Sequence, residues 1–597
     1  MDDKRNILLA VVLTIAILFG WPVISNYFFP PSAQPIERAE QQAKQQGAAP
    51  NVRGGPLAEG AQAIRPIEAV LGESQRVAIE TPKLRGSINL RGARIDDVVL
   101  PTHRQTVDEK SPPVRLLAPS GTADAYFASF GWSGEGVRVP DANTVWTADG
   151  TKLTPQTPVT LRWSNGAGQT FLIRLSIDED YLLTVAQTVE NAGGNAIAVR
   201  NYGLLSRLGH GKDKSTWTIH TGPVGVFNGS ANYDIGFQNL DGEAPGFFAQ
   251  IFGTKTVAGV NAFSTTGGWI GFTDLYWHAA LIPAQSLPVD ARFLCSERNQ
   301  AECAKEKNRY QADLTYAPAV VQPGTSLSTT SRLFVGAKET PVLDRYMDQQ
   351  GIALFDRAID WGWFRWFEKP IFYLLDWLFR HIGNFGVAII CLTFIVRGLM
   401  FPVAQRQFAS MAAMRAIQPK MKALQERYKN DKPKMQQEIM ALYKTEKVNP
   451  LAGCLPIFLQ IPIFFALYKV LMLTVDMRHQ PFYLWIKDLS APDPAHILNL
   501  FGLLPFTPPS FLGIGVLAVI LGITMWLQFK LNPAPMDDVQ KQIFSLMPWM
   551  MMFIMAPFAA GLLIYWCTSN ILTIAQQWWL YRQHPVLGQP AADTAKG

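Results

Sequence analysis

The chain has 597 residues, 48% of them hydrophobic and 17% charged, with a formal net charge of +6. That length calls for several domains rather than one, and an excess charge this small makes its location more informative than its value. The averages also hide a split that excludes a uniformly soluble or uniformly embedded chain. Residues 66–345 read as a soluble domain, whereas 383–582 are dominated by apolar runs.

Residues 1–29 begin with Lys4 and Arg5 followed by a nearly unbroken apolar stretch, Ile7 to Ile24, long enough to cross a bilayer. The bulky sequence Trp21 to Phe29 offers no small-residue cleavage site, so the segment reads as an uncleaved signal anchor. Residues 30–65, rich in Pro, Ala, Gln and Gly, read as a flexible linker. From 66 to 345 the pattern has period two: Phe171, Ile173, Leu175 and Ile177 alternate with polar residues, as do Val159, Leu161 and Trp163. Short strands punctuated by Gly, Asn and Asp clusters predict an all-β sandwich. The acidic run Asp178-Glu179-Asp180 reads as a surface turn. Cys295 and Cys303 are spaced for a short-loop disulfide if the domain lies outside the cytoplasm; two free thiols are the alternative.

Residues 354–381 mix Trp361, Trp363, Trp366 and Trp377 with charged residues, the pattern of an amphipathic helix in the membrane interface or packed on the sandwich. Pro370 would break or kink it. Five apolar spans follow at about 383–401, 451–475, 511–529, 543–558 and 562–580, making six with the anchor. The first carries Arg397, a charge costing roughly 2.5–3.5 kcal/mol at mid-bilayer depth on insertion scales. Two readings fit. Arg397 faces a wet intramembrane cavity, or it snorkels, because Pro402 reads as the helix end only about 7–8 Å away. Thr393 is one turn earlier on the same face. The other spans carry Gln460, Thr524, Gln528, Thr568, Ser569, Asn570, Thr573 and Gln576, but no Asp or Glu to pair with the arginine.

Between the first two of these spans, residues 403–447 hold ten basic residues, among them Arg415, Lys420, Lys422 and Arg427, against four acidic ones. The positive-inside rule places this loop, both termini and the tail 583–597 in the cytoplasm, and the β-domain outside. Met411, Met414, Ile417, Met421 and Leu424 recur at helical spacing, as do Met435, Ile439 and Leu442, which predicts a helical hairpin turning at 430–433. Its basic face either contacts lipid, ribosomal RNA or another protein, or serves only to set topology.

Enzyme signatures are missing: the eight histidines are scattered, and no metal or phosphate-loop motif is complete. A solute transporter would also carry intramembrane polar residues, but shows internal repeats and paired broken helices that are not seen here. An envelope scaffold would act through the β-domain instead.

Specific strings then narrow the choice. Thr393-Phe394-Ile395-Val396-Arg397-Gly398, Met414 to Lys420, Ala441-Leu442-Tyr443-Lys444, Val448 to Pro456 and Gln460-Ile461-Pro462-Ile463-Phe464 closely resemble the YidC membrane protein insertases over about 355–582. The resemblance implies a multi-domain membrane protein: an α-helical transmembrane bundle of six spans with a five-span core, plus a periplasmic β-supersandwich similar to sugar-mutarotase folds. It implies a hydrophilic groove, open to cytoplasm and lipid, built on Arg397 with Thr393, Gln460, Gln528, Tyr565, Trp566 and Asn570. The cytoplasmic hairpin would receive nascent membrane proteins, alone or with the Sec translocon and ribosome, in the inner membrane and in contact with its lipids. No cofactor is implied. Lys469, in the second core span, is placed near its outer end, where it would snorkel.

Overall fold

The computed structural model describes residues 64–213, 219–241, 260–295, 308–362, 364–429, 431–446, 455–501, 504, 513–531 and 538–583. The signal anchor, almost all of the linker and the C-terminal tail lie outside them. The chain divides into two compact units near residue 358.

The first unit is two large, almost wholly antiparallel sheets. An eleven-stranded sheet runs from Val260–Thr266 through Pro288–Cys295, Arg309–Tyr316, Ile197–Leu208, Tyr126–Glu135, Arg94–Arg104, Arg85–Asn89 and Arg76–Glu80 to Lys152–Leu153, with two further strands paired off this path. A nine-stranded sheet runs from Ser230–Asn232 through Gly222–Phe227, Trp269–Thr273, Trp277–Ile282, Thr325–Ala337, Leu182–Asn191, Gln169–Ile177 and Val159–Ser164 to Thr147–Ala148. The period-two pattern sets the inward face, because alternate side chains leave opposite faces of a strand. Phe171, Ile173, Leu175 and Ile177 are all buried, and Val185 and Val189 on the next strand stand opposite Leu175 and Phe171. Trp163 departs from the pattern: it is half-buried and carries the Arg138 guanidinium over its ring.

Short helices α1 (Ile67–Leu71), α2 (Phe237–Asp241) and α3 (Thr340–Gln350) complete this unit. The turn at 178–180 is more than a surface loop. Asp178 accepts hydrogen bonds from the Tyr346 hydroxyl at 2.6 Å and from the Leu182 amide at 3.0 Å, while Asp180 pairs with Lys83 and Arg345, so the turn docks α3. Cys295 is disulfide-bonded; its expected partner, Cys303, lies outside the described residues. The core also holds a buried ion pair, in which Arg207 Nη2 donates to Asp274 Oδ1 at 2.6 Å beneath the Tyr126 ring.

The second unit is helical: α4 (Arg365–Ile382), α5 (Phe385–Ala416), α6 (Gln418–Arg427), α7 (Lys432–Thr445), α8 (Leu455–Leu473), α9 (Val516–Leu531), α10 (Asp538–Met555) and α11 (Ala560–Gln583). Three boundaries correct the sequence reading. The aromatic helix expected over 354–381 occupies 365–382 and runs unbroken through Pro370. Leu354–Ala358 instead belongs to the β-unit, where Phe355 packs edge-on to Phe334 and Trp269. Pro402 does not end its helix either; α5 continues to Ala416. A proline removes one backbone hydrogen bond, and the Ala-, Gln- and Met-rich segment that follows is composed of strong helix formers.

Phe385–Arg406 is long and apolar enough to cross a membrane, whereas Pro462–Leu473, Val516–Leu531 and Ser545–Met555 are shorter apolar stretches. These helices are apolar on both faces. Leu517, Ala518 and Leu521 are buried on α9, while Ile520, Ile523, Trp526 and Leu527 are exposed. Helices apolar all round suit a lipid surround.

Lys469 does not snorkel. It is 8% exposed on α8 and donates to the Asp360 carbonyl at 2.7 Å, with the Asp360 carboxylate 3.4 Å away. The third member of this cluster is Glu368 on α4, 1% exposed, with Oε2 buried and without a hydrogen-bond partner among the described residues. Burial, opposed by the Lys469 charge and reinforced by Asp360, pushes its carboxyl from 4.5 up to about 8.

Two predictions follow from these buried groups. Asp274→Ala strands the Arg207 charge and should destabilise the β-unit by about 3–5 kcal/mol, measured by urea unfolding of the purified chain and followed by the strand signal in circular dichroism. Arg207→Met/Asp274→Leu should recover most of that loss. For Glu368, the folded state holds a proton that the unfolded state has released between pH 4.5 and about 8, so stability falls as pH rises through that window. Glu368→Gln should flatten the fall in the thermal midpoint between pH 5 and 8, and an equal slope in wild type and variant would refute the assignment.

Candidate functional site

The site is organised by α11, which packs along both α5 and α9 and also touches α8. Its central sequence is Tyr565-Trp566-Cys567-Thr568-Ser569-Asn570. Helical periodicity puts residues four apart on one face, so Tyr565 and Ser569 share a side, and Asn570 turns to the next.

Arg397, half-buried on α5, donates from Nε to Ser569 Oγ at 2.9 Å and from Nη2 to the same oxygen. Gln460 on α8 donates from Nε2 to the Tyr565 hydroxyl at 2.9 Å. Tyr565 stands one helical turn before Ser569 on the same face of α11. One polar chain of neighbours, Gln460–Tyr565–Ser569–Arg397, therefore crosses three helices, hydrogen-bonded at Gln460–Tyr565 and at Ser569–Arg397. On the adjacent side, Asn570 donates to Thr524 Oγ1 on α9 at 3.2 Å. Trp566 packs against Phe464 with ring centroids 5.2 Å apart, and Gln528 lies half-buried one turn beyond Thr524.

Of the seven groove residues expected from sequence, Arg397, Gln460, Tyr565, Trp566 and Asn570 cluster around α11. Thr393 does not extend the polar surface: it is fully buried, and its hydroxyl donates to the Ile389 carbonyl at 2.7 Å. This back-bond satisfies the hydroxyl within its own helix. Ser569, the only hydrogen-bond partner of Arg397 among the described residues, was named from the sequence as one of the polar residues of the last span but not placed in the groove. Its spacing of four from Tyr565 is the signal that would have found it.

No carboxylate pairs with Arg397 among the described residues. A guanidinium carries five N–H donors, and two of its nitrogens share a single neutral acceptor. The charge is therefore partly desolvated without an opposite charge to compensate it, an arrangement that favours an incoming anion.

The basic hairpin is formed by α6 and α7. Asp431 caps α7 by accepting from the Lys434 amide at 3.2 Å, and the Tyr443 hydroxyl reaches Met421 Sδ at 3.2 Å across the pair. Lys420 pairs with Glu446 at 2.6 Å, but the lysine is exposed and the glutamate only half-buried, so the pair contributes at most about 1 kcal/mol. Lys422 and Arg427 are exposed, and Arg427 and Lys434 flank the Tyr428 ring. Arg415 lies in the last turn of α5, its side chain outside the described residues.

Among the described residues, no cluster of His, Cys, Asp and Glu could hold a metal ion. The family described as 60Kd inner membrane protein matches residues 377–586, and the YidC periplasmic domain matches 76–374. The membrane protein insertase YidC of Zymomonas mobilis is 47% identical over 588 residues, covering 98% of this chain and 96% of the relative. The protein of the same name from a Methylobacterium species is 43% identical over 617 residues, with the same coverage. A crystal structure titled as an active YidC insertase with its first transmembrane domain resolved aligns over 86% of this chain and 94% of its own, at 16% identity and a TM-score of 0.35. Likeness of this extent, across the β-unit and the helical unit alike, makes the chain a member of the YidC family of inner-membrane protein insertases, which are not enzymes.

Proposed function

We propose that this insertase works through the polar chain around Arg397, which forms one wall of a hydrophilic groove within a bundle of six spans. The observation that carries the reading is a half-buried arginine whose only described partner is a neutral hydroxyl. A nascent membrane protein docks on the hairpin at 403–447, where Lys422 and Arg427 remain exposed. Its polar segment enters the groove, and Arg397 attracts acidic side chains in that segment.

The physical gain is a shorter hydrocarbon path. Moving an unpaired polar group or charge through an apolar medium is expensive, and a polar compartment part-way across removes part of that barrier. The apolar segment of the substrate then leaves sideways into lipid, driven by burial at roughly 25 cal/mol per Å². Trp566 and the exposed apolar residues Phe394, Ile395 and Leu399 of α5 line a greasy route beside the charge. In this reading the hairpin, both termini and the ribosome or Sec translocon that delivers substrates are cytoplasmic or membrane-embedded partners, and the β-unit is periplasmic.

The decisive experiment replaces Arg397 by Ala and by Lys, then measures insertion of substrates whose translocated segments are acidic or neutral. Arg397→Ala should reduce insertion of the acidic substrates about tenfold, the scale of one charge-assisted hydrogen bond. Undiminished insertion of those substrates rules out the electrostatic role. Lys, which keeps the charge but lacks the planar fork, should give an intermediate value.

A further inference from the structure

Two members of the polar chain are poorly placed to be groove wall. Tyr565 is 1% exposed and Ser569 4%, so neither offers a surface to a passing polypeptide. Both carry hydroxyls inside an apolar bundle, where an unpartnered hydroxyl costs about 1–3 kcal/mol. Among the described residues, Tyr565 accepts from Gln460 and Ser569 from Arg397.

The geometry at the arginine is directional. A guanidinium is planar and presents two forks, Nε with Nη2 and Nη2 with Nη1. Ser569 Oγ occupies the first fork. Nη1 has no protein partner among the described residues, so the outer end of the group remains for a ligand. Carboxylates bind such an end with two parallel hydrogen bonds when it is held in one orientation. Ser569 Oγ, carried on α11 one turn after the Tyr565–Gln460 pair, holds the plane of the guanidinium from behind.

We propose that Ser569, backed by Tyr565 and Gln460, is a positioning residue that turns the Nη1–Nη2 end of Arg397 towards acidic side chains of a translocating segment and so sets the preference for acidic over neutral segments. The assignment rests on Arg397 being the group that meets those segments. It reassigns Tyr565 and Gln460 from substrate contact to support of the arginine, and leaves Trp566, half-buried beside Phe464, as the aromatic neighbour open to substrate.

The test uses the full chain reconstituted in proteoliposomes and two versions of one single-span substrate, with Asp or Asn at the same position in the translocated tail. The quantity read is the ratio of Asp to Asn insertion, in which the amount of folded insertase cancels. Ser569→Ala should lower that ratio about threefold or more, and Tyr565→Phe should lower it to a lesser degree. Ser569→Thr, which restores the hydroxyl, should return the wild-type ratio. A wild-type ratio in Ser569→Ala overturns the proposal, as does a loss in Ser569→Thr equal to that in Ser569→Ala, which would point to side-chain volume instead. Arg397→Ala in the same assay separates the two levels. If it abolishes the preference while Ser569→Ala keeps it, positioning is wrong and the role of the arginine stands. If Arg397→Ala also keeps the preference, both fall.

Discussion

An arginine side chain cannot lose its proton at any accessible pH, so a helix that carries one into an apolar bundle must find it a host. Here the host is α11, against which α5, α8 and α9 pack. Ser569 faces α5 and Arg397, Tyr565 and Trp566 face α8, and Cys567 and Asn570 meet α9 through the Leu517 carbonyl and Thr524. The residues that accommodate the charge are therefore also the residues that fix three neighbouring helices. A substitution made to relieve the charge would loosen the bundle, and one made to tighten the bundle would remove the polar chain.

The β-unit handles a buried arginine in the opposite way. Arg207 sits against the Asp274 carboxylate and beneath an aromatic ring, so its charge is compensated where it stands. Two facing sheets with alternating inward residues can enclose such a pair completely, because their backbone polar groups are already satisfied by strand pairing. Neutralisation of this kind places the opposite charge inside the core beside the arginine. The contrast with Arg397 lies in the partner: a carboxylate closes the site, and a hydroxyl leaves it electrostatically open.

The sequence was legible where periodicity carries the information. Alternation along Phe171–Ile177 identified the buried face of a strand, and the helical spacing of Met421, Leu424, Met435 and Leu442 matches two paired helices at 418–427 and 432–445. It misled where one residue type was given a fixed meaning. Pro402 read as a helix end and Pro370 as a break or a kink, yet both lie inside continuous helices because the flanking residues favour the helix strongly enough. Thr393 shares a face with Arg397 but satisfies its own backbone, which spacing alone cannot reveal. The value of Ser569 was hidden for the complementary reason: a small hydroxyl in a polar run acquires its role only from the helix that packs against it.

Lys469 shows why Arg397 stands apart. Both are cations within long apolar helices, and the sequence offered a snorkelling explanation for each. For the lysine, the short segment before α4 supplies the Asp360 carboxylate and carbonyl, and Glu368 from α4 adds a carboxyl that keeps its proton up to about pH 8. In that cluster the lysine charge meets a carboxylate, and Lys469 and Glu368 are buried where α4 packs on α8. Arg397 has no such carboxylate among its described contacts, although the same unit supplies one elsewhere. A bundle that pairs one buried cation and, among the described residues, sets another against a neutral hydroxyl is the contrast from which the proposed capture of acidic substrate segments starts.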